Sequence, residues 1–495
     1  MLCAIKGLWL TTGVVVPPDP DTVRDLGFIQ AVRDGNWFGD PATEGAWRWY
    51  PPLLHNLAAL LTAALPLTLF DAWLHAGALL NLLTPASFYW MNCRLVGRWP
   101  AAAATVLLVL AFGAALPGDA SAGYTPWTLT PALAWPLFFV SVRLIAGAAE
   151  RLRPAGTVVA GSAVGLLFLA HTVPSVLLAG LLTAAVVTLH GVTRRSALWL
   201  AGAGGIALLW TTPFLLPLLL AYRLHIVHPD PGAWVHPVLS DRLTLLPTAL
   251  GLFLLAWLVR QRAWAHLPRS TVGILGAWIA LCGMFLVRHY ACSDNRDGVC
   301  GVFVVAAHHY LVYLQAAWAT VAGLALALLW RRGEPAHWVR SAAAVLVVAL
   351  IAFFADAEDL AYRRLGQGPA ERVLDRAAYE WILARTEPGA LFVTELPPNP
   401  ADMGPGAAAV IAAGRRLVAP PGLHSNPYLP WTSRNEQRLA LLKPGADLCP
   451  LLREAGEDGA FFLLPHGRTV AAAPVFDTAV HTIYRVPERS CRRPP

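Results

Sequence analysis

The feature that most restricts this chain is a rhythm. Long apolar runs alternate with short connections, and every second connection carries arginine. A helix that crosses a bilayer needs about 20 apolar residues, because no water is there to satisfy an open backbone. Such runs lie near 2–16, 72–92, 101–117, 128–146, 156–171, 173–191, 197–217, 243–259, 272–288, 310–330 and 340–356. Of the 495 residues, 56% are hydrophobic and 14% are charged, whereas soluble proteins carry about 25% charged residues. The expected fold class is an α-helical polytopic membrane protein with about eleven transmembrane helices.

The basic connections set the orientation. Arg94 and Arg98 follow the second run, and Arg143, Arg151 and Arg153 end or follow the fourth. Arg194 and Arg195 follow the sixth, Arg260, Arg262 and Arg269 the eighth, and Arg331, Arg332 and Arg340 the tenth. These connections belong on the cytoplasmic side. The others, richer in Pro, Gly, His, Trp and Asp, belong outside. The alternation holds only if 51–66, PPLLHNLAALLTAALP, does not cross. Framed by Pro51, Pro52 and Pro66 and carrying His55 and Asn56, it is expected to lie as a helix in the outer interface.

The net charge of +7 fits basic loops against an anionic leaflet. No basic stripe or stacking platform speaks for nucleic acid, so the expected partner is membrane lipid. The same alternation places Cys292 and Cys300, in CSDNRDGVC, and Cys449 and Cys491 outside, where two disulfides can form. Cys3, Cys93 and Cys282 lie in or beside apolar segments and read as packing residues. Arg-rich, Lys-poor and Ala-rich usage points to a GC-rich bacterial genome, and so to the inner (plasma) membrane.

Two domains are expected: a transmembrane domain over 1–356, with a first external loop at 17–71, and a small periplasmic α/β domain over 357–495. In the second, helices are predicted at 370–386, 433–442 and 447–455. Strands are predicted at ALFVTEL (390–396), AAVIAAG, RRLVAP, GAFFLLP and HTIYRVP. It holds no phosphate-binding glycine loop and no metal quartet.

Chemistry-bearing residues gather in 17–50. Asp21, Arg24 and Asp25 fall at i, i+3 and i+4, and a helix over 20–33, with Asp19 or Asp21 near its N-cap, puts them on one face. A carboxylate held beside an arginine stays ionised, which suits a general base or a metal ligand. Gly35, Asn36, Gly39 and Pro41 favour a turn, and Trp37, Trp47, Trp49 and Tyr50 suit an interface belt or stacking on a sugar ring. The plain alternative is a solvated helix with capping carboxylates, followed by a membrane belt.

The loop continues as Arg24-x8-Arg33-Asp34-Gly35-Asn36-Trp37, then Asp40-Pro41, then Trp49-Tyr50-Pro51-Pro52-Leu53-Leu54, and closes with the interfacial helix. This layout resembles the GT-C superfamily of integral membrane glycosyltransferases, which includes protein O-mannosyltransferases, aminoarabinose transferases and mycobacterial arabinofuranosyltransferases. The resemblance covers the whole chain. It implies transfer of a sugar from a polyprenyl-phosphate donor to a glycan or lipid-linked acceptor on the external face, with inversion, and an aspartate early in the first loop as base. Asp21 is the first candidate, with Asp19 and Asp25 behind it. The chain lacks the adjacent Asp-Asp or Asp-Glu pair of the superfamily, so the choice among the three and a possible divalent cation stay open.

A lipid-phosphate donor calls for cationic or hydrogen-bonding groups near the outer surface. Candidates are Arg24 and Arg33, Arg288 and His289 at the end of the ninth run, and His308, His309 and Tyr310 at the start of the tenth. His171, in AHTVPS between the fifth and sixth runs, and His424, in HSNPYLPWTSR, join them. The segment 222–242 holds His225, His228, Asp230, His236 and Asp241, but not at a recognised zinc spacing. A transporter or lipid flippase is the first competing function; against it stand the lack of an internal repeat and of a charged pair deep in the spans. A non-catalytic membrane scaffold is the second, and it leaves the charged and aromatic first loop unexplained.

Overall fold

The structure, a computed structural model, describes residues 2–17, 19–65, 68–70, 72, 73, 77, 82–112, 127, 128, 130–224, 242–292, 308–332, 341, 345–352, 355, 357–367, 372–399 and 402–487. Helix α1 (Leu2–Thr11) opens it. Helix α2 (Pro20–Arg33) has the predicted bounds, and its start is written in two residues. The Asp19 carboxylate takes the N-cap and accepts from the backbone N–H groups of Asp21 and Thr22, while Pro20 occupies the first turn, where no N–H is needed. Helix α3 (Leu53–Ala63) begins directly after the Pro51-Pro52 pair and lies inside the expected 51–66.

Among the described residues, nine further helices follow: α4 (Leu83–Leu95), α5 (Arg98–Leu107), α6 (Thr130–Ala149), α7 (Pro154–Ala170), α8 (Thr172–His190), α9 (Arg194–Tyr222), α10 (Arg242–Arg260), α11 (Arg269–Cys292) and α12 (His308–Arg332). Among the described residues, four segments are long and apolar enough to cross a membrane: Thr172–His190, Arg194–Tyr222, Arg269–Val287 and His309–Arg331. Shorter apolar helices of 10–17 residues include Arg98–Ala111, Leu133–Ala149, Pro154–Ala170 and Pro247–Arg260.

The chain divides into two units. The first comprises Met1–Trp9, Gly77–Leu215 and Asp230–Leu360. Its helices close on small residues and aromatic rings, as membrane helices must when no hydrophobic drive separates lipid from protein. A Cβ on Gly323 of α12 would stand 2.5 Å from the Pro100 carbonyl oxygen of α5, so only glycine allows that approach. Phe138 of α6 packs edge-on against Trp278 of α11 at 5.1 Å and against Tyr313 of α12 at 4.7 Å. Buried polar side chains pair across helices, as where Thr320 donates to Asn92 Oδ1 at 3.1 Å. Arg94 meets Glu150 at 2.6 Å, and Arg143 donates to the Trp90 carbonyl at 2.8 Å, so the ends of α4 and α6 that carry the first two arginine clusters lie together.

The second unit comprises Leu10–Ala76, Leu216–Pro229 and Ala361–Pro495. Its later part runs through α13 (Ala357–Gln367), α14 (Arg376–Arg385), β1 (Leu391–Thr394), α15 (Pro405–Ala412), β2 (Arg416–Leu417), α16 (Trp431–Leu441), α17 (Cys449–Ala455), β3 (Ala460–Pro465), β4 (Ala473–Asp477) and β5 (His481–Arg485). The sheet order is β2-β1-β3-β5-β4. Strands β2, β1 and β3 are parallel, with Leu391 opposite both Arg416 and Ala460, and β5 turns back antiparallel between β3 and β4. Leu391, Val393, Val418, Leu451, Phe462 and Leu464 form a buried core on this sheet.

Two expectations are corrected, and one strand was not expected. AAVIAAG is not a strand but most of α15, because alanine dominates it and Pro405 sits at the first helical position, where both favour a helix over a sheet. RRLVAP contributes only the two-residue β2. Strand β4 is an exposed edge strand interrupted by a bulge, so it lacks the apolar alternation that announces a buried one. Cys449 is disulfide-bonded, while Cys300 and Cys491, and the side chain of Cys292, lie outside the described set.

Within the second unit, α2 packs on α15 so closely that a Cβ on Gly27 would stand 2.2 Å from the Ile411 carbonyl oxygen. Asp34, at the end of α2, meets buried Arg415 at 2.7 Å, and Leu417 of β2 donates its backbone N–H to the Ala42 carbonyl at 3.0 Å. Arg416 pairs with Glu44. The first loop is thus built onto the carboxyl-terminal sheet.

Candidate active site

The first turns of α2 present three carboxylates with three different fates. Asp19 is buried and spent on the helix cap. Asp25 is wholly buried; its Oδ1 receives Arg24 Nη2 at 3.0 Å and lies 3.0 Å from His55 Nε2. Asp21 keeps its side chain 36% exposed, with Oδ1 2.7 Å from Arg24 Nη1. The spacing that puts these residues on one face also lets a single guanidinium bridge Asp21 and Asp25.

Aromatic rings wall this charge off from water. The Arg24 guanidinium lies 4.2 Å over the Tyr50 ring, and the Arg48 guanidinium 4.6 Å over Phe28. His55 lies 5.2 Å from Phe28 and 5.7 Å from Tyr50. Its Nδ1 faces the Pro51 carbonyl at 3.2 Å. Both atoms facing the His55 ring are acceptors, so a neutral imidazole can donate to only one of them. Burial pushes His55 below the ordinary histidine value, and Asp25 pulls against that shift. Burial also works against the charge on Arg24, but Asp21 and Asp25 outweigh it and hold the guanidinium charged.

A hairpin over 38–48, closed by the Gly39–Trp47 bridge, brings in Asp40 and Arg48. Both are buried. Arg48 donates Nη1 to Asn56 at 3.1 Å, and its Nε and Nη2 have no hydrogen-bond partner among the described residues. Burial lowers Arg48 to about 9 and raises the Asp40 carboxyl to about 6. From the carboxyl-terminal part of the unit, His424 turns Nδ1 to within 3.5 Å of Asp21 Oδ1, beyond hydrogen-bond length for this pair, and burial drives it down to about 4, against the pull of Asp21. Next to it Asn426 donates to the Trp47 carbonyl at 3.3 Å, and Tyr428 stacks on Tyr222 at 5.2 Å.

The residues singled out in the sequence therefore separate. Asp19, Asp21, Asp25, Arg24 and His424 come together. Arg33 does not: it lies exposed in the last turn of α2, roughly 18 Å along the helix axis from Asp21. His171 and His309 belong to the first unit, where their rings lie 4.8 Å apart, and Tyr310 stacks on Phe285 at 4.4 Å. His171 ends α7 and caps α8. The side chains of Arg288, His289 and His308 and all of 225–241 lie outside the described set. Sequence reasoning did not select His55, Arg48 or Asp40 for the site. The available signal was His55 itself, the only ionisable residue of an otherwise apolar helix. Among the described residues, no three His, Cys, Asp or Glu stand close enough to hold a metal ion.

No protein-family model and no curated protein matches the chain. Solved structures do. ArnT from Cupriavidus metallidurans in the apo state matches with a TM-score of 0.61 at 14% identity, over 100% of this chain and 98% of that one. ArnT bound to undecaprenyl phosphate gives 0.58 at 14% identity, over 99% and 98%. The Archaeoglobus fulgidus oligosaccharyltransferase in its apo form gives 0.54 at 12% identity, over 94% of this chain and 68% of that one. From end to end, then, this chain shares the polytopic fold of ArnT.

Proposed function

We propose that this chain is an integral membrane glycosyltransferase that moves a sugar from a polyprenyl-phosphate donor to a glycan or lipid-linked envelope acceptor, with Asp21 as general base. The observation that carries this reading is the unequal treatment of the three aspartates. Asp19 and Asp25 are buried in cap and ion pairs, and only Asp21 offers an open carboxylate. The whole-chain match to ArnT, a protein crystallised with undecaprenyl phosphate, supports the donor class.

In this reading Asp21 accepts the proton of the acceptor hydroxyl as that oxygen bonds to the anomeric carbon. The bond from the anomeric carbon to the phosphate oxygen breaks on the opposite face, and its electron pair leaves with polyprenyl phosphate, so the configuration inverts. Arg24 fixes the Asp21 carboxylate, and Asp25 with His55 fixes Arg24. Arg24 and Arg48 supply positive charge beside the carboxylates, where the leaving phosphate gains negative charge. Eleven spans, cytoplasmic arginine connections and a periplasmic domain over 357–495, in a bacterial inner membrane, complete the proposal.

The test is transfer by the purified chain in nanodiscs, using an undecaprenyl-phosphate-linked sugar and envelope glycolipid. Asp21→Asn is expected to lose transfer by about a thousandfold with an unchanged melting temperature. An active Asp21→Asn would move the base elsewhere. Movement of the lipid-linked sugar across vesicles without any transfer would establish the flippase instead, and neither activity would leave a scaffold.

A further inference from the structure

A cavity in the sheet domain shares no residue with the Asp21 group. It encloses about 650 Å³, within the range of roughly 300–1,000 Å³ typical of small-molecule sites. Its place follows from the topology. After β1 the chain moves to β2 on one side, then returns to β3 on the other side of β1. Loops leaving β1 and β3 at their carboxyl ends therefore part in opposite directions, and parallel sheets open a crevice at such a point. Glu395 follows β1, Gly467 and Arg468 follow β3, and Asn435 and Arg438 come from α16; all five line the cavity.

The lining is specific in charge. Arg438 is only 5% exposed, yet it lines the cavity. Its Nε donates to Asn435 Oδ1 at 3.0 Å and its Nη1 to the Thr394 carbonyl at 3.1 Å. Those bonds fix the plane of the guanidinium and leave Nη2 without a hydrogen-bond partner among the described residues. The chain thus bears the cost of burying a cation at an open crevice. Arg468 also lines the cavity, paired with Glu395 and 64% exposed. The cavity's ionisable lining is these two arginines against one glutamate, and its apolar lining includes Pro397, Pro398, Leu439 and Leu442. None of the lining residues is aromatic, so the cavity has no face on which a neutral sugar would stack. A lipid tail would leave the two guanidinium groups unmet.

We infer that this cavity binds a small anionic molecule of one or two sugar rings, its carboxylate or phosphate ester held by Arg438 and Arg468 and its body set against the Pro and Leu wall. Two planar guanidinium groups in one lining suit a planar or tetrahedral oxyanion. On binding, the ligand's oxyanion takes the place of Glu395 at Arg468.

The experiment is calorimetric titration of the full chain in nanodiscs with glucuronate, glucose 6-phosphate, glucose and inorganic phosphate. No turnover is involved, so the outcome is independent of the transferase reading. Glucuronate or glucose 6-phosphate is expected to bind, glucose is not, and the better of the first two identifies the anion. Arg468→Gln, at an exposed position that the fold tolerates, is expected to weaken that binding by about tenfold or more. Arg438→Gln should abolish it, and a melting curve of each variant separates lost binding from lost folding. Absence of binding by both anions, undiminished binding in Arg468→Gln, or equal binding of glucose or of inorganic phosphate overturns the inference.

Discussion

Arg24 Nη1 lies 2.7 Å from Asp21 Oδ1, so the most open of Asp19, Asp21 and Asp25 hangs on a guanidinium fastened from behind by buried Asp25. Stability and activity should therefore separate along this chain of contacts. Asp25→Ala takes from buried Arg24 its buried counter-ion, leaving only the more open Asp21, strips His55 of its partner, and is expected to cost about 3–5 kcal/mol, read as a fall in melting temperature. Arg24→Lys keeps the charge but cannot reach both carboxylates, and should lose transfer. Arg33→Ala, at the exposed far end of α2, should change stability by less than about 0.5 kcal/mol and leave transfer intact. Melting curves and turnover on the same preparations decide all three.

Acid response is set by two buried groups with opposite signs. His424 is held at about 4, against 6.5 for an ordinary histidine, so between those values the unfolded chain binds the extra proton and stability rises with pH. Asp40 is raised from 3.8 to about 6, so the native chain keeps its proton longer and stability falls as pH rises through that window. His424→Gln is expected to remove the rise and expose the fall. Asp40→Asn should do the reverse. Melting temperature measured from pH 4 to pH 7 checks both, and parallel profiles for the two variants would refute the assignment.

Gly27 is where α2 touches the carboxyl-terminal part of its unit. A Cβ there meets the Ile411 carbonyl oxygen, which is backbone and cannot swing aside. Gly27→Ala is expected to destabilise by about 1–3 kcal/mol, although alanine is the better helix former, and to lower transfer by shifting Asp21. A stabilised Gly27→Ala would show that α2 moves away freely.

Cys449 is disulfide-bonded, and Cys491 is the partner expected from the sequence. Cys449→Ser should cost about 2–4 kcal/mol, and reductant should lower the wild-type melting temperature to the same degree. Peptide mapping without reduction should yield Cys449 linked to Cys491.

Local chemistry made part of this legible. Helix α2 could be bounded from Asp19, Pro20 and the i, i+3, i+4 spacing because a cap and a face are properties of neighbouring residues. His55 could not be assigned to Asp25 that way, since the two are 30 positions apart and meet only when α3 folds back on α2. The same limit hid Arg48 and Asp40, whose burial depends on the 38–48 hairpin closing. Helix α15 misled for another reason: Val410 and Ile411 mimic a strand, while the alanines around them decide for a helix. Strand β4 gave little signal because an exposed edge needs no apolar pattern.

The Asp34–Arg415 pair joins positions 381 residues apart. During synthesis the first loop emerges 381 residues ahead of this partner. Until Arg415 and its sheet have been made, α2 has nothing to dock against, and Asp21 waits on an unanchored segment. On the proposed function, transfer is therefore absent until that sheet has formed. A nonsense mutation ahead of codon 415 should behave as a loss of function at Asp21.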